Sequence, residues 1–367
     1  DVVEILGAPG GNWRIDRLER TTHAQVEAVR TAPGLYLPQP AEAEATSPGA
    51  YIPPVPVEGV FLDLPLLTGE EVAHAPHFAA TARPWPGAVA LASGVEDADH
   101  RLNLVQSLPA TIGVTETAMA AAPSGIWDRG RALRVRLAQG QLTSASEAAI
   151  LSGANLCAIG DGTSDHWEVF QFQTAEPVAP GVYHLSLRLR GQAGTDGVMP
   201  DVWPVGSRFV LLDGVPRQID LPQAARGLER HYRYGPARRP LTDPSWRHEL
   251  RAFAGIGLRP YAPAHLSARE AQGDLRITWV RRARRGADAW EGRDVPLDEG
   301  REAYLVRILQ DGVVLREAEV DTPAYSYSAE ARAADGTDGA AGALVVQVAQ
   351  ISEAFGPGPF AAIEVAA

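Results

Sequence analysis

Residues 183–190 read YHLSLRLR, and this stretch decides the fold class because its apolar residues recur at every second position. Residues 133–137, LRVRL, repeat the pattern with leucines and a valine on one side and arginines on the other. Such alternation is typical of antiparallel strands that bury one face. Residues 167–172, WEVFQF, change phase midway, which a β-bulge or burial on both faces would explain.

Turn-forming residues are abundant, whereas helix signals are few. The 367 residues include 36 glycines and 29 prolines, about 18 % of the chain against a usual ~12 %. Residues 144–147, SASE, form a capping box before a short helix of about two turns that Gly153 ends. Residues 243–253 fit a capped helix and nearly fit a strand, so both remain open. We predict an all-β protein built from several antiparallel β-sandwich or barrel modules.

Charge composition excludes several classes of function. The net charge of −12 disfavours non-specific attraction to nucleic acid or anionic lipid. All 33 basic residues are arginines, so the sequence holds no Walker A loop, no Schiff-base lysine and no Ser-x-x-Lys pair. We therefore expect no direct binding of nucleic acid.

Cysteine count and hydropathy limit the chain further. Cys157 is the single cysteine, which forbids an intrachain disulfide and cysteine-rich metal sites. No apolar stretch approaches the roughly 18 residues of a membrane span, and no signal peptide is visible. Because the first residue is Asp1 rather than Met, we expect the chain to be part of a longer protein.

Four regions are predicted along the chain. Residues 1–37 hold two strands and resemble the end of an upstream β module, and residues 38–57 read as a proline-rich linker. Residues 58–258 carry many strands and form one or more middle β domains. From residue 259 to 367 the pattern resets into a compact module of about seven short strands, with a hairpin turn at residues 310–312, QDG, and a helical turn after Ser328. The last module is predicted to be a small sandwich resembling a fibronectin type III domain.

Few patterns suggest a phosphate or metal site. Residues 7–11, GAPGG, follow an apolar strand, but without a lysine or a following helix we favour a hairpin turn over a phosphate loop. His74 and His77 are spaced like a metal pair, yet Pro76 lies between them and a third ligand is not nearby, so we interpret them as loop residues. Acidic residues cluster twice, at Glu96, Asp97, Asp99 and His100, and at Asp161 and Asp165. Neither cluster has EF-hand ligand order, and we interpret both as polar surface turns.

Arginines and tryptophans supply the remaining candidates. The run Arg281, Arg282, Arg284 and Arg285 could contact an anionic sugar or lipid, but acids at Asp288, Glu291 and Asp294 follow it. We favour a solvated loop with local ion pairs. Trp85 and Trp203 lie beside prolines, where they could stack on carbohydrate, although a core or loop-anchoring role is favoured.

Hydrolytic motifs are missing from the sequence. It contains no Gly-x-Ser-x-Gly elbow and no His-Glu-x-x-His motif, and its acids are too numerous to identify a glycosidase pair. We predict no catalytic residue, no metal site and no cofactor, and the binding residues stay unassigned.

A series of short phrases carries a family resemblance over most of the chain. They are, in order, LPLLTG (64–69), WPG (85–87), ATIG (110–113), WDR (127–129), LSGAN (151–155), LRLRGQAGT (187–195), GPA (235–237), FAGIGLRP (253–260) and ITWVRR (277–282). The series resembles the carboxy-terminal part of the large tail-tip protein of bacterial gene transfer agents. That protein is similar to the host-specificity or tip attachment proteins of long-tailed phages.

The resemblance implies a baseplate component at the distal end of the tail of a virus-like particle. It implies a homotrimer that contacts other baseplate and distal tail proteins and a component of the host envelope, and that helps to deliver DNA. Full-length relatives carry a glycosidase-like barrel upstream, but nothing in this sequence matches it, so no catalytic residue is carried over. Two alternatives stay open: a carbohydrate-binding accessory region of an extracellular polysaccharide-acting enzyme, and a hydrolase with unrecognised paired acids.

Overall fold

Alternating apolar residues between glycine-rich turns produce an almost entirely β structure, as predicted. The computed structural model describes residues 1–32, 56–286, 295–337 and 343–366, which contain 27 strands and two short α-helices. None of the helices described has the length and apolar character of a membrane span. The chain divides into two compact units, Asp1–Ile52 and Pro53–Ala367. The predicted linker lies outside the described residues except for its last two, and the predicted domain boundaries stay predictions.

The first unit contains a three-stranded antiparallel sheet. Its strands, in the order β1-β2-β3, are β1 (Val2–Glu4), β2 (Asn12–Arg20) and β3 (Ala24–Thr31). Glu4 pairs with Asn12 across the glycine-rich turn of residues 7–11. The hairpin prediction for this turn is therefore confirmed.

The second unit begins with a run of strands between residues 58 and 251. They are β4 (Glu58–Leu62), β5 (His77–Thr81), β6 (Val89–Gly94), β7 (Arg101–Gln106), β8 (Ile112–Thr115), β9 (Met119–Ala120), β10 (Trp127–Asp128), β11 (Leu133–Leu137), β12 (Leu156–Gly160), β13 (Trp167–Ala179), β14 (Val182–Gln192), β15 (Val202–Trp203), β16 (Arg208–Leu211), β17 (Arg217–Gln218), β18 (Arg230–Pro236) and β19 (Arg247–Arg251). Helix α1 (Glu147–Leu151) and single 3-10 turns at Thr195–Val198, Gln223–Ala225 and Ile256–Leu258 interrupt or follow them. Residues 243–253, for which helix and strand were both open, thus contain a strand.

Six of these strands close into an antiparallel barrel. The order is β14-β11-β8-β16-β12-β13, and β13 pairs back onto β14. Side chains from every second position of the strands, among them Val135, Phe170 and Phe209, fill the interior. Both explanations for the phase change in residues 167–172 hold, because these residues are buried and the β13–β14 register shifts between Val169 and Gln171.

Two further sheets pack face to face beside the barrel. The three-stranded sheet β17-β5-β4 and the four-stranded sheet β19-β18-β6-β7 enclose an aromatic core in which Phe61 lies 5.0 Å from Phe78 and 5.2 Å from Tyr232, measured between ring centroids. The opposite face of β4 and β5, with Leu62 and Ala79, packs against the barrel wall. The three-stranded sheet is therefore buried on both faces, which explains why all five residues of β5 are buried.

The long strand β14 departs from the predicted half-buried alternation. Leu185 pairs with Ala175 of the barrel core, but Arg188 pairs with Phe172, which also belongs to that core. Cross-strand partners share a face, so the inward phase changes between Leu185 and Arg188. Leu187, between them, has a left-handed φ of 53°. The prediction that the arginines of this strand face solvent is wrong, because Arg188 and Arg190 are 2 % and 0 % exposed.

Helix α1 forms where predicted, but its cap is a different serine and it is shorter than the expected two turns. The Oγ of Ser146, not of Ser144, accepts from the backbone N–H of Ala149. Ser144 is instead committed to β13, because its Oγ accepts from the Ala175 N–H at 3.0 Å. Backbone bonds from Gly153 to Ile150 and from Ala154 to Ala149 end the helix in a Schellman motif.

The carboxy-terminal module is a two-sheet sandwich, as predicted. Its strands are β20 (Ala264–Ala271), β21 (Asp274–Val280), β22 (Tyr304–Gln310), β23 (Val313–Val320), β24 (Ala324–Tyr327), β25 (Ala343–Ser352), β26 (Gly356–Pro357) and β27 (Ala361–Ala366). The sheet β20-β21-β24 faces β23-β22-β25, to which β26 and β27 add. The hairpin at residues 310–312 is confirmed, since Asp311 and Gly312 both have positive φ. Ser328 caps helix α2 (Ala329–Ala334), also as predicted.

Candidate functional site

The interpretation of His74 and His77 as loop residues is wrong for His77, which is buried on strand β5, whereas His74 lies in the turn before that strand. His74 Nε2 donates to the Leu221 carbonyl at 2.9 Å. His77 is buried on β5, where burial lowers the pKa of its imidazole. His74 is thus held by a hydrogen bond, whereas the Nδ1 of His77 is buried without a hydrogen-bond partner.

The two candidate tryptophans have structural roles. Trp203 is 1 % exposed inside the barrel, and its Nε1 donates to Glu168 Oε2 at 2.6 Å. Its side chain therefore offers no face to a sugar. Trp85 packs half-buried against the aromatic core, with Nε1 donating to the Ser107 carbonyl at 3.2 Å. The core and loop-anchoring interpretations are confirmed.

The acidic turn at residues 160–165 is a polar surface turn, as predicted. Asp161 Oδ1 accepts from the N–H and hydroxyl of Thr163, and Asp161 Oδ2 lies 2.7 Å from His166 Nδ1. Partial burial opposes ionisation of Asp161, but these hydrogen bonds outweigh it and lower the pKa of the carboxyl. Asp165 is exposed.

The arginine run is not the predicted solvated loop. Arg281 pairs with Glu302, while Arg284, whose side chain is 10 % exposed, bonds Glu299 at 2.7 Å. Arg282 reaches back to the barrel and bonds Asp196 Oδ2 at 2.8 Å. The acids expected to partner these arginines, residues 288, 291 and 294, lie outside the described residues. The run therefore helps to join the carboxy-terminal sandwich to the barrel.

The join is tightly packed where Gly194 meets Tyr261. Gly194, in the loop after β14, has a φ of +75°, and a Cβ there would lie 2.1 Å from the ring of Tyr261. The Arg282 guanidinium lies 5.2 Å from the centre of the same ring. On the connecting segment, the backbone N–H groups of Gly255 and Ile256 each donate to a buried Asp63 oxygen at 2.8 Å. The contacts of Gly194 and Arg282 join the barrel to the sandwich, and the Asp63 hydrogen bonds hold the connecting segment.

A buried charge network supports the barrel from inside. Glu168, fully buried, accepts from Arg190 Nε at 2.6 Å and Nη2 at 2.8 Å, besides Trp203. Asp128 accepts from Arg188 Nε at 2.9 Å and reaches Arg190 Nη1 at 3.4 Å. Two carboxylates thus balance two guanidinium groups, and the network is structural. The lone thiol of Cys157 lies nearby, and burial, followed by the charge of Glu168, raises its pKa.

The acidic cluster of Glu96, Asp97, Asp99 and His100 contributes to an arrangement that the sequence did not predict. We use "histidine–aspartate cluster" for Asp97, His100, His231, Arg233 and His248. Gly94 ends β6, and the loop folds back over it so closely that a Cβ would lie 2.7 Å from the Asp99 carbonyl oxygen. This fold brings Asp97 beside β18, the strand next to β6.

The two strands β18 and β19 place their histidines on the same face. His231 pairs with Leu250 and Arg233 pairs with His248, so the two histidines are diagonal neighbours. The intervening Tyr232 points into the aromatic core. His231 Nδ1 lies 2.9 Å from His248 Nε2, and His248 Nε2 lies 3.5 Å from Asp97 Oδ1. Among the described residues, one group of three His, Cys, Asp or Glu side chains has all its potential ligand atoms within 4.8 Å of one another. It consists of Asp97, His231 and His248.

Arg233 and His100 complete the surroundings of Asp97. Arg233 donates to both carboxylate oxygens, at 2.9 and 3.0 Å, and this hydrogen bonding lowers the pKa of Asp97. His100 has a side chain only 5 % exposed, and its Nε2 lies 3.8 Å from Asp97 Oδ1. Burial, then the charge of Arg233, lowers the pKa of His100. The cluster thus combines an ionised carboxylate with three imidazoles.

Sequence reasoning identified Asp97 and His100 but missed the residues that complete the cluster. His231 and His248 are isolated histidines, more than 130 residues along the chain. Alternation around Tyr232 and Tyr234 was the signal that would have placed His231 on an outward face. Nothing local indicated which loop lies above it.

Comparison with known proteins gives one family match. Residues 110–210 match the family model described as Rcc01698-like, C-terminal. The matched range runs from β8 into β16 and therefore coincides with the six-stranded barrel. No curated protein matches the chain.

Proposed function

We propose that this chain is a structural component of the tail tip, or baseplate, of a phage-like gene transfer particle. The observation that carries the proposal is the family match over the barrel, residues 110–210. It falls within the region whose phrases resemble the large tail-tip protein of gene transfer agents. In this proposal the protein lies at the distal end of the tail and contributes to recognition of the host envelope and delivery of DNA.

The join between barrel and sandwich supports a mechanical role. Three of the resembling phrases, at 187–195, 253–260 and 277–282, supply residues of this join, including Gly194, Gly255 and Arg282. Close packing between the barrel and the sandwich would transmit force and would fix the direction in which the surface loops point, as a component of a tail tip requires. In the last module the sheet β20-β21-β24 faces the strands β23-β22-β25-β27, and this arrangement also supports a fibronectin type III-like assignment.

The partners proposed are those that the resemblance implies. They are two further copies of the same chain in a trimer, other baseplate and distal tail proteins, and a host-envelope component. In a trimer three copies could bind the host envelope at the same time, so the overall avidity would exceed the affinity of each weak contact. The net charge of −12 would limit adhesion to the anionic genome. We propose no catalytic activity for this part of the protein.

The carbohydrate-binding alternative is less well supported. It relied on exposed aromatic side chains, yet Trp203 is inside the barrel and Trp85 is anchored to the Ser107 carbonyl. Saturable binding to envelope polysaccharide that is lost in Trp85→Ala would restore this alternative.

Immunogold labelling of intact tailed particles tests the proposal. Antibody raised against the 367-residue chain is expected to label the distal tail tip in negative-stain electron microscopy. Particles from a strain deleted for the gene, and serum pre-adsorbed with the purified chain, are the controls. Particles that carry no label, from a preparation whose denaturing blot lacks the protein, would overturn the proposal.

A further inference from the structure

We propose that Asp97, His231 and His248 form a binding site for one divalent transition-metal ion of the zinc type. Two imidazoles and one carboxylate are ligands that zinc accepts, and a site with three protein ligands leaves a further position open. The inference is independent of the proposed tail-tip function.

The distances between ligand atoms fit shared coordination. Two nitrogens that each lie ~2.0–2.1 Å from one zinc ion are about 2.9–3.4 Å apart for angles between a right angle and the tetrahedral angle. His231 Nδ1 and His248 Nε2 are 2.9 Å apart, and Asp97 Oδ1 is 3.5 Å from His248 Nε2. The two imidazole rings are nearly coplanar, with an interplanar angle of 8°, so their nitrogens point at each other. Each ring must turn by about 35–45° to direct its lone pair at a shared ion with an angle between the right angle and the tetrahedral angle.

The backbone holds these side chains in place before an ion arrives. His231 lies on β18, which pairs on both sides, with β6 and with β19. His248 is fixed relative to it by the β18–β19 register. Asp97 is held by two-oxygen contact with Arg233, in the way that outer hydrogen bonds orient metal-ligating carboxylates. Because the fold already holds the three side chains near one another, binding of an ion requires little further loss of conformational entropy.

An unsatisfied imidazole points to the same place. The side chain of His100 is 5 % exposed, and its Nε2 is buried without a hydrogen-bond partner. This atom lies 3.8 Å from Asp97 Oδ1. A buried polar atom that lacks a partner is costly, and a metal ion or its bound water beside Asp97 would supply one. His100 is therefore a supporting residue and an additional ligand candidate.

The site is open to an incoming ion. The side chains of Asp97 and His248 are 48 % and 37 % exposed. The positive charge of Arg233 works against cation binding, and it distinguishes this site from an acidic calcium loop. Nitrogen ligands favour a transition metal over calcium or magnesium.

The competing interpretation is a hydrogen bond between the two imidazoles of His231 and His248, with no ion. It predicts that loss of either histidine changes only stability. The metal proposal predicts that the same loss changes zinc affinity, which makes the two interpretations distinguishable.

Zinc titration of the metal-free 367-residue chain, without a polyhistidine tag and in competition with a chromophoric chelator, tests the site. We expect one Zn²⁺ per chain, and His231→Ala and His248→Ala each to lower affinity at least about tenfold. His166→Ala is the matched control, because His166 also contacts a carboxylate, Asp161, at 2.7 Å but belongs to no such group among the described residues. Cobalt substitution is expected to give visible absorption bands that disappear in His248→Ala.

Two results would overturn the proposal. One is zinc binding that is the same in the wild type and in the double variant H231A/H248A. The other is an absence of stoichiometric zinc binding by the wild type, whatever the melting temperature of the metal-free His248→Ala variant. Circular dichroism of the metal-free variants checks folding, and His248→Gln, at an exposed position on the edge strand β19, repeats the test if an alanine variant fails to fold.

Discussion

Replacing Glu168 with leucine is expected to destabilise the barrel by about 5 kcal/mol. Leucine is close to glutamate in volume, so the change removes the charge without opening a large cavity. Glu168 and Arg190 are both 0 % exposed, and the variant leaves the guanidinium buried without its main partner.

The magnitude follows from the contacts that are lost. Breaking a buried ion pair by removing one member costs about 3–5 kcal/mol. The Trp203 Nε1–H and the Gly191 N–H also donate to Glu168, and each orphaned donor costs roughly 1–3 kcal/mol. Asp128 Oδ2, 3.4 Å from Arg190 Nη1, offsets part of the loss. These costs together begin at about 5 kcal/mol before the Asp128 contact is counted, so we expect a net loss of about 5 kcal/mol.

Equilibrium urea unfolding, with hydrogen exchange of barrel peptides to identify the barrel transition, measures the effect. Glu317→Ala is the control, because Glu317 and Arg307 form an exposed cross-strand pair, expected to contribute less than about 1 kcal/mol. In the double variant Glu168→Leu with Arg190→Leu no unpaired charge is buried, and it is expected to be more stable than Glu168→Leu alone. A loss below about 1 kcal/mol for the single variant, or no recovery in the double variant, would refute the reasoning.

Two further predictions concern the join between barrel and sandwich. Gly194→Ala places a Cβ against the Tyr261 ring, and we expect it to lower the free energy of unfolding by more than about 2 kcal/mol and to expose the join to limited proteolysis. Gly214→Ala is the control, because Gly214 has a similar φ but open space around it, and we expect it to cost about 1 kcal/mol. Equal protease sensitivity of the two variants would contradict this prediction. Burial raises the pKa of Asp63 from 3.8 to about 6, so the native state holds its proton more tightly than the unfolded state. This preference stabilises the native state fully when the pH is below the pKa of Asp63 in the unfolded chain. A stabilisation on the order of 3 kcal/mol is therefore lost as the pH rises through about 6. Asp63→Asn is expected to remove this slope in melting temperatures from pH 4 to 8, and parallel profiles would argue against it.

Local patterns sufficed where a few neighbouring residues decide the structure. Alternation in residues 133–137 predicted β11, the Asp311-Gly312 pair predicted the hairpin, and Ser328 predicted the start of α2. The cap of α1 shows the limit of such patterns, since Ser144 and Ser146 both precede the helix. Ser144 is drawn away by a bond to Ala175, 31 residues along the chain.

Sequence by itself determined that the protein is all-β, that its strands are antiparallel and that its last module is a sandwich, because side-chain period and turn chemistry operate over a few residues. Only the tertiary structure decided which strands lie side by side. It turned Arg188 and Arg190 into the barrel, set Arg282 on Asp196, and brought His231 and His248 under the loop that carries Asp97. Alternation states which residues share a face, but strand order and register determine what that face meets, and those depend on contacts between residues that are far apart in the chain.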